Sequence, residues 1–235
     1  MSRPTSSRAA PGRSRPSAGS RATARRDAAT EAGERHLRSA DPVLAELIEE
    51  TGTLDADARR RGRPADAYGS LLRAIVGQQL STKAARAVYG RLEEHFGGRT
   101  PSASELLAAD FDEILSVGLS RRKVEYLRDL AARVEDGRLD LDRLADLDDD
   151  EVMEELVAVK GLGPWTAHMF LIFHLGRPDV LPVGDLGTRS AVRRAYGLAE
   201  LPKPAELERI AESWRPHRSL AALYLWRSLD NEPGA

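Results

Sequence analysis

Two glycines one residue apart, a proline that can start a helix and an aspartate 22 residues beyond the second glycine carry most of the chemistry visible in this sequence. Glu155-Leu-Val-Ala-Val-Lys-Gly-Leu-Gly-Pro-Trp-Thr-Ala-His168 runs from an apolar helical stretch through Gly161-Leu-Gly163 into a helix that begins at Pro164. Gly-x-Gly permits a tight turn and close approach of another backbone. The following helix presents unpaired N–H groups with partial positive charge, the makings of a phosphate site. A plainer reading is an ordinary hairpin of two helices with Leu162 plugged into the core. Asp185 follows Val180-Leu-Pro-Val-Gly184 and precedes a helix. Its carboxylate is placed to cap that helix, or to act as an ionised group in a site. His36, His95, His168, His174 and His217 show no spacing that argues for zinc or iron.

The elements needed to position these residues are helical. Asp41 is an expected N-cap with Pro42 in the first turn, and Val43, Leu44, Leu47 and Ile48 form the apolar stripe. Leu71, Leu72, Ile75 and Val76 mark a helix from Tyr68 to Leu80, and Ala84, Ala85, Val88, Leu92 and Phe96 mark the next. Ser120 caps a helix carrying Val124, Leu127, Leu130 and Val134. Further helices are expected over Asp148–Val159, Pro164–Leu175, Leu186–Tyr196, Pro204–Trp214 and Pro216–Leu229. No period-2 run marks a strand. The fold class is therefore all-α, with about ten helices.

Composition narrows the functions. The 235 residues contain no cysteine, which removes disulfides, thiolate-bound metals, iron–sulfur clusters and thiol catalysis together. No apolar run approaches the ~18 residues of a membrane helix. With no apolar leader, the expected location is the cytoplasm; Arg exceeds Lys 31 to 4, which hints at a GC-rich genome. The net charge of −2 conceals an asymmetry, because residues 1–40 hold nine Arg against three acids. Before Leu37 this segment has no large apolar side chain except Met1, so residues 1–38 are expected to be disordered. Pro4, Pro11 and Pro16 exclude the amphipathic helix of a transit peptide. A basic arm that attracts phosphate and a passive solubilising extension remain open readings.

Val159-Lys-Gly-Leu-Gly-Pro-Trp-Thr-Ala167 resembles the hairpin of the helix-hairpin-helix DNA glycosylases, and Asp185 stands where that superfamily carries its catalytic aspartate. Ala74-Ile-Val-Gly-Gln-Gln-Leu-Ser81, Trp214-Arg-Pro-His-Arg-Ser219 and Leu225-Trp226 are similar to pieces of its DNA-3-methyladenine glycosylase branch. The resemblance covers most of residues 68–229. It implies two all-helical lobes with the active site in the cleft between them: one about 68–178 including the hairpin 156–168, the other about 39–67 plus 179–235. It also implies a monomer that acts on double-stranded DNA containing alkylated bases and needs no redox cofactor.

By that resemblance Asp185 stabilises an oxocarbenium-like transition state and orients a water. Gly161, Gly163, Thr166 and Arg189 would dock DNA, and Gln79, with Gln78 beside it, would be the wedge that fills the gap left by a flipped base. For Gln79, a polar helix end that satisfies backbone groups is the competing role. Trp165 occupies the position of the Schiff-base lysine in bifunctional relatives, so lyase chemistry is not expected. Its indole would stack on an electron-poor base, or else belong to the core. Met169, Leu186 and His217 stand where relatives line the pocket with rings. Main-chain oxygens of Val157, Val159 and Leu162 would hold a K⁺ or Na⁺ ion. A non-enzymatic DNA-binding hairpin protein is the alternative, and Asp185 separates the two because a binding module does not need it.

Overall fold

The structure, a computed structural model, describes residues 18–54 and 64–230. Twelve α-helices follow one another without a strand among the described residues. They are α1 (Ala18–Ala40), α2 (Pro42–Thr51), α3 (Ala67–Gly77), α4 (Thr82–His95), α5 (Ala103–Ala108) and α6 (Phe111–Ser116). The chain continues with α7 (Arg121–Glu135), α8 (Asp149–Val157), α9 (Pro164–Phe170), α10 (Leu186–Ala195), α11 (Pro204–Ile210) and α12 (Arg218–Asp230). A π-helical turn, Leu171–Leu175, extends α9, and short 3₁₀ turns sit at Arg143–Ala145 and Ala211–Trp214.

Short polar side chains set most of the boundaries. Asp41, Ser81, Ser120 and Asp185 each accept a backbone N–H from the first turn that follows, which satisfies donors a helix cannot pair internally. Asp148 and Ser102 complete reciprocal capping boxes with Glu151 and Glu105. The short helices α5 and α6 carry too few turns for a sequence period to show, and are visible only in the structure.

Buried apolar residues form two clusters. One gathers α3 to α9, with Leu72, Ile75, Leu92, Leu106, Leu127, Leu130 and Leu156 fully buried. The second joins α1, α2, α10, the Ala211–Trp214 turn and α12 around Leu37, Leu44, Ile48, Val192, Trp214 and Tyr224. Asp41 ties this second core together: it caps α2 through one oxygen and with the other accepts Trp214 Nε1–H at 2.9 Å and the Tyr196 hydroxyl.

α1 corrects the expectation of disorder up to residue 38. From Ala18 to Ala40 the chain is helical, and the part of that expectation covering residues 1–17 lies outside the described residues. Tertiary contacts compensate for its single large apolar residue. Leu37 is fully buried, Glu34 accepts the buried Tyr224 hydroxyl, and His36 Nε2 lies 3.2 Å from the Ser213 carbonyl. Gly33 lets α12 approach, since a Cβ there would lie 2.7 Å from Leu220.

Candidate active site

Asp185 stands at the N-terminus of α10, where its capping geometry follows from an extended backbone (φ −74°, ψ 123°). Four donors converge on its carboxylate. Oδ2 accepts Thr188 N–H at 2.6 Å, Thr188 Oγ1–H at 2.9 Å and Trp226 Nε1–H at 2.7 Å, while Oδ1 accepts Trp165 Nε1–H at 2.8 Å. Burial alone would raise the acid's pKa, but these hydrogen bonds together outweigh it and hold the carboxyl below the usual aspartate range. The group is therefore an ionised, oriented anion at neutral pH. Capping and site chemistry coexist here, because the capping bonds engage Oδ2 and leave Oδ1 facing Trp165.

Each of the two indoles comes from a different element. Trp165, half exposed at 50%, sits in the first turn of α9 and is no core residue. Trp226 comes from α12 and stacks on Phe173, with ring centroids 5.8 Å apart. Gly187 makes room for it, since a Cβ there would lie 3.0 Å from Asp185 Oδ2 and 3.2 Å from Trp226 Cδ1. The sequence offered Trp226 only within a family-like C-terminal stretch and Gly187 only as part of a helix; their convergence on Asp185 is tertiary.

Trp165 and Met169 also line a cavity of about 610 Å³, together with Ser70, Gln78, Phe173 and His174. Ser70 Oγ lies 3.1 Å from His174 Nδ1, and the His174 ring stacks on Phe170. Leu186 and His217 do not line this cavity. Leu186 is exposed at 62% on the first turn of α10, and His217 packs against His36 and the backbone at Gly33 in the second core. The residues before His217 lead it toward α1, away from the cleft, so its pocket assignment is corrected.

Beside the cavity, two turns lie against each other. Gln78 Nε2–H donates to the Gly161 carbonyl at 2.6 Å, joining the α3–α4 turn to the hairpin. Gly161 has φ +85°, and a Cβ there would lie 2.1 Å from the Tyr126 ring. Gly163 has open space at its Cβ position, and α9 starts there without a side-chain cap. Thr166, in the first turn of α9, is 5% exposed and lines the cavity. Leu162 is buried, as the plainer reading of the turn required.

Three arginines of the C-terminal half bond within the protein. Arg189 Nε–H donates to the Pro202 carbonyl at 2.9 Å, a bond that ties α10 to the segment before α11. Arg215 and Arg218 grip Asp179 at 2.7 and 2.8 Å, and Ser219 bonds Arg177, Val180 and Pro178 backbone groups. Together they pin the segment that leads to Asp185 onto the start of α12. Among the described residues, the exposed large apolar side chains are Leu80 in the α3–α4 turn and Val157, Trp165 and Leu186 at the ends of α8, α9 and α10.

The profile of a family described as HhH-GPD superfamily base excision DNA repair proteins matches residues 72–216. DNA-3-methyladenine glycosylase 1 of Schizosaccharomyces pombe is 32% identical over 195 residues, covering 82% of this chain and 85% of its own. The solved structure of the S. pombe 3-methyladenine DNA glycosylase in complex with abasic DNA superimposes with TM-score 0.74, covering 84% of this chain and 96% of that one. A DNA-3-methyladenine glycosidase from Bacillus halodurans gives TM-score 0.72 at 36% identity, covering 83% and 88%. A Bacillus subtilis protein provisionally named as a DNA-3-methyladenine glycosylase is 31% identical over 169 residues, 69% of this chain; the match spans 59% of that protein's length.

Proposed function

Because the chain belongs to the HhH-GPD superfamily of base excision DNA repair proteins, we propose that it is a monofunctional DNA glycosylase that hydrolyses the glycosidic bond of alkylated purines. The observation that carries the reading is Asp185, ionised and held by four donors beside a cavity that Trp165 shares. A purine must leave the duplex before its sugar bond can be reached. Gln79, exposed at the tip of the α3–α4 turn, fills the vacated place, with Gln78 fixing the turn. The extruded base enters the cavity against Trp165 and Met169, and an alkylated ring with a positive charge is attracted to the indole face.

As the C1′–N bond lengthens, positive charge grows on the sugar. The Asp185 carboxylate stabilises it and orients the water that attacks C1′; the departing base carries away the bonding pair, and the water's proton passes to solvent as the C1′–OH bond forms. Trp165 cannot form an imine, so no covalent sugar–enzyme intermediate forms through that position. The anionic site is kept from protonating by hydrogen bonds that exist before substrate arrives, which is electrostatic preorganisation. The hairpin at Gly161–Gly163 docks the DNA backbone through main-chain groups.

An alkali ion at the carbonyls of Val157, Val159 and Leu162 is part of the proposal. Neutral oxygen donors suit such an ion, and the Val159 carbonyl accepts Leu162 N–H at 3.1 Å while retaining a second lone pair. When bound, the ion supplies positive charge beside a phosphate. A monomer acting on double-stranded DNA completes the reading. The deciding experiment incubates the protein with methylated DNA and separates released bases by chromatography. Free 3-methyladenine supports the glycosylase; tight binding without any released base would support a non-enzymatic DNA-binding protein.

A further inference from the structure

Gln79 has φ 59° and is the one residue other than glycine with positive φ among the described residues. Cβ crowds the backbone in this conformation, which persists only where the surroundings over-determine it. α3 ends two residues earlier, and the carbonyls of its last turn have no partners within the helix. Lys123 of α7 serves two carbonyls at this end: Nζ donates to the Val76 carbonyl at 2.8 Å and to that of Gln78, just past the helix, at 2.6 Å. The ammonium also meets the negative end of the α3 dipole.

The same face of α7 continues to the hairpin. Three residues on, Tyr126 covers Gly161; six residues on, Asp129 accepts Lys160 N–H at 2.9 Å and Arg133 Nε–H at 2.9 Å. Positions 123 and 126 are neighbours on the helix surface, and so are 126 and 129. α7 thus touches both turns, and Gln78 closes the circuit through its 2.6 Å bond to the Gly161 carbonyl.

We propose that Lys123 is a positioning residue, which locks the α3–α4 turn with Gln79 thrust outward and sets its register against the hairpin. The proposal rests on the glycosylase reading, in which Gln79 replaces the extruded base. Without the ammonium, the Val76 and Gln78 carbonyls lose their partner, and the turn relaxes toward negative φ with Gln79 withdrawn. Hairpin docking survives, because Tyr126 and Asp129 remain. Eversion and excision should therefore fail while DNA affinity persists, a split that general destabilisation does not produce.

The test compares wild type with Lys123→Met, which keeps the apolar stem, and with Lys123→Gln, which keeps one donor. Three quantities are measured: single-turnover release of 3-methyladenine, fluorescence of 2-aminopurine beside the lesion as a report of eversion, and affinity for a duplex with an abasic analogue. Lys123→Met is expected to lower excision and eversion together by about 10²-fold, the penalty of a small misplacement at a reacting centre. Affinity for the abasic duplex, where no base must leave the stack, stays at the wild-type value, and Lys123→Gln falls between. Wild-type eversion in either folded variant, or abasic affinity falling in step with excision, overturns the proposal. Should Lys123→Met fail to fold, the same criteria apply to Lys123→Gln. Wild-type protein that everts without releasing base overturns the glycosylase reading, and the eversion comparison still decides the role of Lys123. Wild-type protein that does neither overturns both.

Discussion

Each oxygen of Asp185 faces a donor, and this makes substitution by asparagine less conservative than its size suggests. Whichever way the amide turns, its NH₂ meets an N–H or O–H: Trp165 on one side, Thr188 and Trp226 on the other. The less damaging orientation sacrifices the single Trp165 bond and keeps the cap, at a cost of about 1 kcal/mol in stability. Asp185→Asn is expected to reduce single-turnover excision by roughly 10²–10³-fold, the usual loss when a group aimed at developing charge is removed. Affinity for abasic duplex, measured in parallel, should persist; equal excision rates would reduce Asp185 to a cap. Trp226→Phe keeps the ring on Phe173 and removes one donor from Oδ2. The carboxyl's pKa then rises from its depressed position toward the ordinary value. Excision needs the ionised form, so its acid limb should move to higher pH, and a rate profile between pH 3 and 7 (values of the order set by ordinary carboxylates) reads the shift. An unmoved limb would show that Asp185 does not titrate in the rate.

At the scale of elements, the hairpin holds two glycines with opposite reasons for being glycine. Gly161 combines φ +85° with a Cβ position 2.1 Å from the Tyr126 ring, so Gly161→Ala must displace α7 or the turn. The expected outcome is a loss of about 1–3 kcal/mol, seen as a lower midpoint in thermal or denaturant unfolding. Gly163 has φ −107° and nothing near its Cβ. Gly163→Ala should therefore fold with unchanged stability yet weaken binding to abasic duplex, because the methyl group obstructs approach of a phosphate. Unchanged affinity would detach this turn from DNA docking. The contrast was hidden in the sequence, where both glycines belong to one Gly-Leu-Gly turn.

At the scale of the whole molecule, α12 links the two cores. Tyr224 and Leu225 are buried in the cluster that contains α1 and α2, while Trp226 reaches the other cluster through Phe173 and also bonds Asp185. α1 buttresses α12 from behind through Leu37, Glu34 and Gly33. Removing residues 1–38 would therefore delete part of a core rather than a dispensable tail. The expected result is a protein that has lost cooperative unfolding of the second core, or that is insoluble. Leu37→Ala alone should cost about 2–5 kcal/mol, measured by chemical denaturation, and a loss under ~0.5 kcal/mol would show that α1 contributes nothing to the core. Removing residues 1–17 instead, which leaves α1 whole, isolates the contribution of the four arginines before Ala18 to the salt dependence of DNA affinity.

The sequence by itself determined the all-helical class, the capped starts of α2, α7 and α10 and the hairpin turn, and it offered Asp185 as a carboxylate at the start of a helix. These are local properties: a cap needs its own first turn, and an apolar stripe needs only its own helix. Tertiary structure alone decided what converges on Asp185, because Trp165 and Trp226 lie 20 residues before and 41 residues after it in the chain. It also decided that Arg189 serves a carbonyl, that His217 lies against α1, and that Lys123 lies against the end of α3. α1 shows the limit most plainly. An alanine- and arginine-rich segment with one large apolar residue has too little to bury on its own, and becomes ordered only because α12 offers a place for Leu37 and a hydroxyl for Glu34. Such a fit depends on surfaces brought together from almost 190 residues apart (Glu34 and Tyr224 are separated by 190), and no periodicity within the segment encodes it.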